Sequence, residues 1–127
     1  MLHEGKTVVV TGCSRGIGLE IVKKFSIYKS HIFACLRNPD KNIEKNFKDL
    51  EIKHGCKIEI INLDLNDVNS IKNSFEKIKS SKKKIDILIN NAGILNVSLF
   101  QMCKYEDLKK IFEINFFNTF EFTKFII

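Results

Sequence analysis

Residues 7–10 (Thr-Val-Val-Val) form a β-branched run, and Thr11-Gly12-Cys13-Ser14-Arg15-Gly16-Ile17-Gly18 follows it directly. Ile17, Ile21 and Phe25 then recur at helical spacing. A strand, a glycine-rich turn and a helix N-terminus together make an anion-binding device. Gly12 permits a sharp turn, Gly16 removes a Cβ where a phosphate must come close, and Gly18 lets the helix pack tightly. Unpaired N–H groups of the first helical turn point at the anion, and the helix dipole favours its charge. Taken alone, such glycines also suit an ordinary turn or a close crossing.

Further polar groups fall where apolar runs end. Arg37 follows His31–Leu36, Asp64-Leu65 closes the run at 57–63, and Asn90-Asn91-Ala92-Gly93 follows the run at 85–89. Asp64 by itself is an ordinary strand-end or capping acid, and the tetrapeptide by itself is a turn. Asn115 shares a helical face with Leu108, Ile111 and Phe122, so its amide needs a partner. Tyr105 and Lys109 have Tyr-x-x-x-Lys spacing, which puts both groups on one helical face, the arrangement of a phenol that gives a proton beside a cation.

The elements that position these groups alternate. Strands are expected at 7–10, 31–36, 57–63 and 85–89. Helices are expected from the glycine loop to about residue 25, at 40–53, after residue 66 or 67 through the stripe at 68–78, and from about 105 to the end. Pro39 disfavours a helical Asn38 and suits a helix start, Gly55 suits a helix stop, and Asn66 or Asp67 can cap the third helix. The stripe of that helix is Val68, Ile71, Phe75 and Ile78. Alternation of this kind implies right-handed β-α-β units and an α/β fold: a Rossmann-like, doubly wound parallel sheet, first half only, with strand order 3-2-1-4. Ligand should bind at the carboxyl edge of the strands, where the glycine loop, Arg37, Asp64 and Asn91 all fall.

The spacing Thr-Gly-x-x-x-Gly-x-Gly, followed in order by Asp64-Leu65, Asn90-Asn91-Ala92-Gly93 and Asn115, resembles the classical short-chain dehydrogenase/reductase family. Ser98-Leu-Phe-Gln-Met102 and Phe116-Phe117 look like members described as 3-oxoacyl-(acyl-carrier-protein) reductase-like. The resemblance covers the whole chain and implies a single NAD(P)-binding Rossmann domain over residues 1–127, ending before the family's catalytic serine, tyrosine and lysine. Gly12, Ser14, Arg15, Gly16, Ile17, Gly18, Arg37, Asp64, Leu65, Asn91, Ala92 and Gly93 are then the cofactor-binding residues. Asp64 would meet the adenine amino group. Asn115 would be the active-site asparagine that kinks the helix and holds a water of the proton relay. Arg37 stands where an acid would bind the ribose hydroxyls of NAD, and with Arg15 it favours NADP(H) over NAD(H) by pairing with the 2′-phosphate. Tyr105 and Lys109 precede Asn115, whereas the family's catalytic pair follows it, so they read as surface residues. The implied activity is hydride transfer between nicotinamide and a carbonyl or alcohol substrate, in a homodimer or homotetramer paired through the Asn115 helix and the one after it. These residues alone are expected to be inactive. The alternative is a non-catalytic module that binds a nucleotide or a partner.

Composition is consistent with one folded domain: 44% of the 127 residues are hydrophobic, with one proline and six glycines. The net charge of +6 admits anionic ligands, but no zinc finger, basic helix or aromatic-basic motif points to nucleic acid. Cys13, Cys35, Cys56 and Cys103 fit no metal-ligand spacing and no Cys-x-x-Cys pair. Reduced thiols, a cytoplasmic location, no metal and no membrane span are expected. The fourth strand is expected to leave a hydrophobic edge, which invites association.

Overall fold

The structure, a computed structural model, describes residues 2–127. Four strands, β1 (Thr7–Thr11), β2 (His31–Leu36), β3 (Lys57–Asn62) and β4 (Ile87–Ile89), form one parallel sheet in the order β3-β2-β1-β4. Helices α1 (Gly16–Ile27), α2 (Lys41–His54) and α3 (Val68–Ser80) make the crossovers. A 3₁₀ turn at Phe100–Met102 leads to α4 (Tyr105–Phe112), a π-helical turn at Glu113–Asn118 and α5 (Thr119–Ile126).

Helices cover both faces of the sheet, so its strands bury both sides and run apolar without alternation. On one face Val8, Val10, Ile32, Ala34 and Leu36 pack with Val22 of α1 and with Ile43 and Phe47 of α2. On the other, Val9, Phe33, Cys35 and Ile61 pack with Ile71 and Ile78 of α3, with Ile114 of the π turn and with Phe122 of α5. β1 is central, and all five of its residues are buried. The Asp40 carboxylate caps α2 by accepting from the Ile43 N–H at 2.9 Å, and Asp67 caps α3 by accepting from the Asn69 N–H at 2.9 Å.

Three local expectations are corrected. β4 starts at Ile87 rather than residue 85; ahead of it the Thr7 N–H donates to the Asp86 carboxylate at 2.9 Å. Val68 is 55% exposed, because it opens the first turn of α3 before the buried stripe of Ile71, Ser74 and Ile78 begins. The last helix is not a single α-helix, and its buried stripe is Ile114, Asn118 and Phe122, while Leu108 and Asn115 are exposed. In an α-helix, residues four apart drift by about 40° around the axis. The π turn holds more residues per turn, so 114 and 118 drift the other way and 118 to 122 drifts back, leaving three residues in one line.

Candidate functional site at the carboxyl edge of the sheet

A cleft of about 630 Å³ runs along the carboxyl ends of the strands. It is lined by Gly12, Ser14, Arg15, Gly16 and Ile17 from the glycine loop, Arg37 after β2, Asp64 and Leu65 after β3, and Asn91, Ala92 and Gly93 after β4. These eleven residues are separated widely in sequence and gathered by sheet order alone. Gly18 and Asn115, also expected at the site, are not on its wall; both shape it from behind.

The glycine loop is shaped by its neighbours. Gly12 has φ +66°, a conformation that side chains rarely adopt, and a Cβ there would lie 2.7 Å from the Ala92 Cα. A Cβ on Gly18 would strike the Gly12 carbonyl and sit 2.6 Å from the Asn91 side-chain nitrogen. Gly16 differs: nothing lies within 4 Å of its missing Cβ, so the loop's middle glycine faces open space. α1 begins there with no side-chain cap and no acid in its first turn, leaving its N–H groups for a ligand.

Thr11 ties this loop to the next. Its buried hydroxyl accepts from the N–H groups of Asn91 and Ala92 at 3.1 and 3.0 Å. The Asn91 amide donates back to the carbonyls of Thr11 and Gly12 at 3.2 and 3.0 Å. Asn90 turns away and donates to the Thr123 hydroxyl at 2.8 Å. The far wall is fixed from the last helix. The Asn115 side chain accepts from the Ile94 N–H at 2.8 Å and donates to the Ile94 carbonyl at 2.7 Å, so both ends of its amide are engaged.

Arg15 and Arg37 are exposed, and neither has a carboxylate within ion-pair distance among the described residues. Two such cations on the wall of a cleft, beside an uncapped helix N-terminus, suit an anionic ligand. Asp64 makes an Asx turn, accepting from the Asn66 N–H at 2.9 Å with one carboxylate oxygen. Tyr105 is 71% exposed beside Lys109, which pairs with Glu106 at 3.5 Å, and neither lines the cleft. Cys13, beneath the glycine loop, is fully buried, and burial pushes its thiol up to about 12. It faces one side of the sheet and Cys35 the other, and both are free. No group of residues suited to hold a metal ion occurs among the described residues. Among them no helix is long and apolar enough to cross a membrane.

Sequence reasoning left out five lining residues, Leu36, Asn38, Leu63, Ile94 and Ile114. Leu36 and Leu63 are strand ends and were legible as such. Ile94 and Ile114 come from a loop and a helix whose approach depends on the Asn115 clamp. Thr11 and Asn118 were also missed as shaping residues, because their roles are contacts some 80 and 53 residues away.

Comparison with known proteins places the geometry. A family model described as short chain dehydrogenase matches residues 6–127. The chain is 33% identical to the WW domain-containing oxidoreductase of Gallus gallus over 112 residues, 87% of this chain and 26% of that protein. It is 30% identical to the 3-oxoacyl-(acyl-carrier-protein) reductase of Escherichia coli strain K12 over 127 residues, the whole of this chain and 50% of that one. The crystal structure of L-sorbose reductase from Gluconobacter frateurii, complexed with NADPH and L-sorbose, superimposes with a TM-score of 0.87 at 25% identity. That match covers 97% of this chain and 46% of the reductase. The chain therefore spans half or less of the length of these relatives.

Proposed function

This chain belongs to the short-chain dehydrogenase family, and from that membership we propose that residues 1–127 are the dinucleotide-binding part of an NADP(H)-dependent oxidoreductase acting on a carbonyl or alcohol. The observation that carries the reading is the cleft itself, with an open Gly16, an uncapped α1 and two unpaired arginines on one continuous wall. When bound, the nicotinamide cofactor supplies or accepts the hydride. The chain's own residues bind and orient. The N–H groups at the start of α1 hold the pyrophosphate, and Arg15 and Arg37 pair with the adenosine 2′-phosphate. Asp64 takes the adenine amino group with the carboxylate oxygen that Asn66 leaves open, beside the backbone of Leu65. The backbone of Asn91, Ala92 and Gly93 lies along the nicotinamide end. Asn115 holds the loop at that end through Ile94, beside the water of the proton relay.

Neither Tyr28 nor Tyr105 lines the cleft, nor does Lys109, so among the described residues no phenol stands at the cleft to protonate a carbonyl. The isolated chain is thus expected to bind NADPH without oxidising it. A homodimer or homotetramer is the proposed assembly, by likeness to the family. Calorimetric titration of the chain with NADPH and NADH tests the reading. Tighter binding of NADPH by tenfold or more is expected. Equal affinities would remove the NADP(H) preference, and binding of neither would remove the dinucleotide site.

A further inference from the structure

Two asparagines of the π turn reach in opposite directions. Asn115 closes both ends of its amide on Ile94, in the loop after β4. Asn118, 5% exposed, donates its side-chain amide to the Leu65 carbonyl at 2.6 Å, in the loop after β3. Those loops form two walls of the same cleft. A regular α-helix would not bury Asn118 in line with Ile114 and Phe122 while turning Asn115 to Ile94 (residues four apart would drift). The distorted turn has its own support: the Thr119 hydroxyl donates to the Ile114 carbonyl, five residues back, at 2.9 Å.

We propose that Asn118 is a positioning residue for the adenine end of the site. By holding the Leu65 carbonyl, it sets the backbone that carries Asp64 and Leu65. Because Asn115 and Asn118 share one turn, that turn ties the adenine loop to the nicotinamide loop. This deepens the dinucleotide reading and rests on it. The link is short, buried and made to a main-chain carbonyl that Leu65 cannot turn elsewhere without moving its loop. A lost hydrogen bond that leaves a buried carbonyl unpaired is enough to displace such a loop.

The test uses the whole 127-residue chain and two probes, 2′,5′-ADP for the adenosine end and nicotinamide mononucleotide for the other. Asn118→Ala is expected to weaken 2′,5′-ADP about tenfold, the scale of one hydrogen bond, and nicotinamide mononucleotide less. Asp64→Ala should cost affinity for 2′,5′-ADP in the native background and little in Asn118→Ala, since the loop is already displaced. Additive effects, or equal losses for both probes, would overturn the proposal and leave the dinucleotide site standing. A native chain that binds neither probe overturns both. Should the variant fail to fold, nuclear magnetic resonance of the native chain decides. Adding 2′,5′-ADP should shift the Asn118 side-chain NH₂ signals, and signals that stay put while ligand binds would overturn the proposal.

Discussion

Arg37 is the residue on which cofactor choice turns. It is exposed, without a carboxylate partner among the described residues, and it stands one position beyond β2 on the wall of the cleft. Arg37→Asp replaces a cation by an anion at the proposed 2′-phosphate position. Affinity for NADPH should fall by roughly two orders of magnitude, the scale of a lost charge-assisted pair with repulsion added. Affinity for NADH should change far less, and fluorescence titration of both cofactors reads the ratio. Two glycines of one loop separate by the same logic. Gly18→Ala drives a Cβ into the Gly12 carbonyl and the Asn91 amide, both fixed by further hydrogen bonds. It should cost about 1–3 kcal/mol of stability, the range for overpacking a tight site, and abolish NADPH binding. Gly16→Ala meets no atom within 4 Å and pays only for its backbone conformation, about 1–2 kcal/mol. Urea melts of the two variants read the two costs, and the larger is expected for Gly18→Ala, where the added Cβ meets packed atoms.

The elements of this fold are tied together at the site by side chains of the strands. Thr11 ends β1 and accepts from two N–H groups of the segment after β4, so β1 and β4 share one hydroxyl beyond their ladder. Thr11→Val keeps the shape and removes the acceptor. Two N–H groups lose their partner, and about 1–3 kcal/mol of stability should go with them. NADPH affinity should fall as well, since the Asn91–Gly93 wall loosens. Glu51→Ala is the matched control: it removes the carboxylate that accepts from the Ile58 N–H at 2.7 Å near the amino end of β3, and should cost about 1–3 kcal/mol with affinity unchanged. If both variants weaken NADPH alike, the threonine holds no particular wall.

At the scale of the whole molecule, the buried thiols set an alkaline limit. Cys13 is held neutral, its pKa pushed from 9.0 up to about 12 by burial, and burial raises Cys35 as well. Between pH 9 and 12 the unfolded chain loses the Cys13 proton while the folded chain keeps it. Unfolding then releases a proton, so stability must fall as pH rises, by roughly 1.4 kcal/mol per pH unit for this thiol, and Cys35 acts in the same direction. Cys13→Ala should flatten that slope over the same window in melts followed by circular dichroism; an unchanged slope would assign the alkaline loss to other groups. The second feature at this scale is an apolar surface. Leu95, Val97, Leu99, Phe100 and Met102 before α4, and Phe112, Phe116, Phe117 and Phe120 along the last helix, are exposed, with Phe100 at 94%. Patches of this kind drive association. Sedimentation of the purified 127-residue chain should show oligomers, and a monomer would contradict this.

The sheet order, the crossovers and most of the cleft wall are legible in the order of the residues. Those are consequences of local pattern: β-branched runs ended by glycine, arginine, aspartate or asparagine, separated by helices with apolar stripes. Once the strands stand parallel, the strand ends must meet at one edge, so Gly12, Arg37, Asp64 and Asn91 converge without further information. The phase of the last helix, by contrast, depends on contacts made across the fold. Periodicity assumes 3.6 residues per turn throughout, which placed Asn115 on the buried stripe and left Asn118 unremarked. In the fold the amides of both residues find backbone partners in loops on opposite walls, and the helix widens by a π turn to serve them. Neither partner is local to the helix, and one hydrogen bond to a distant carbonyl is worth enough to shift a phase that nearest-neighbour propensity holds only weakly.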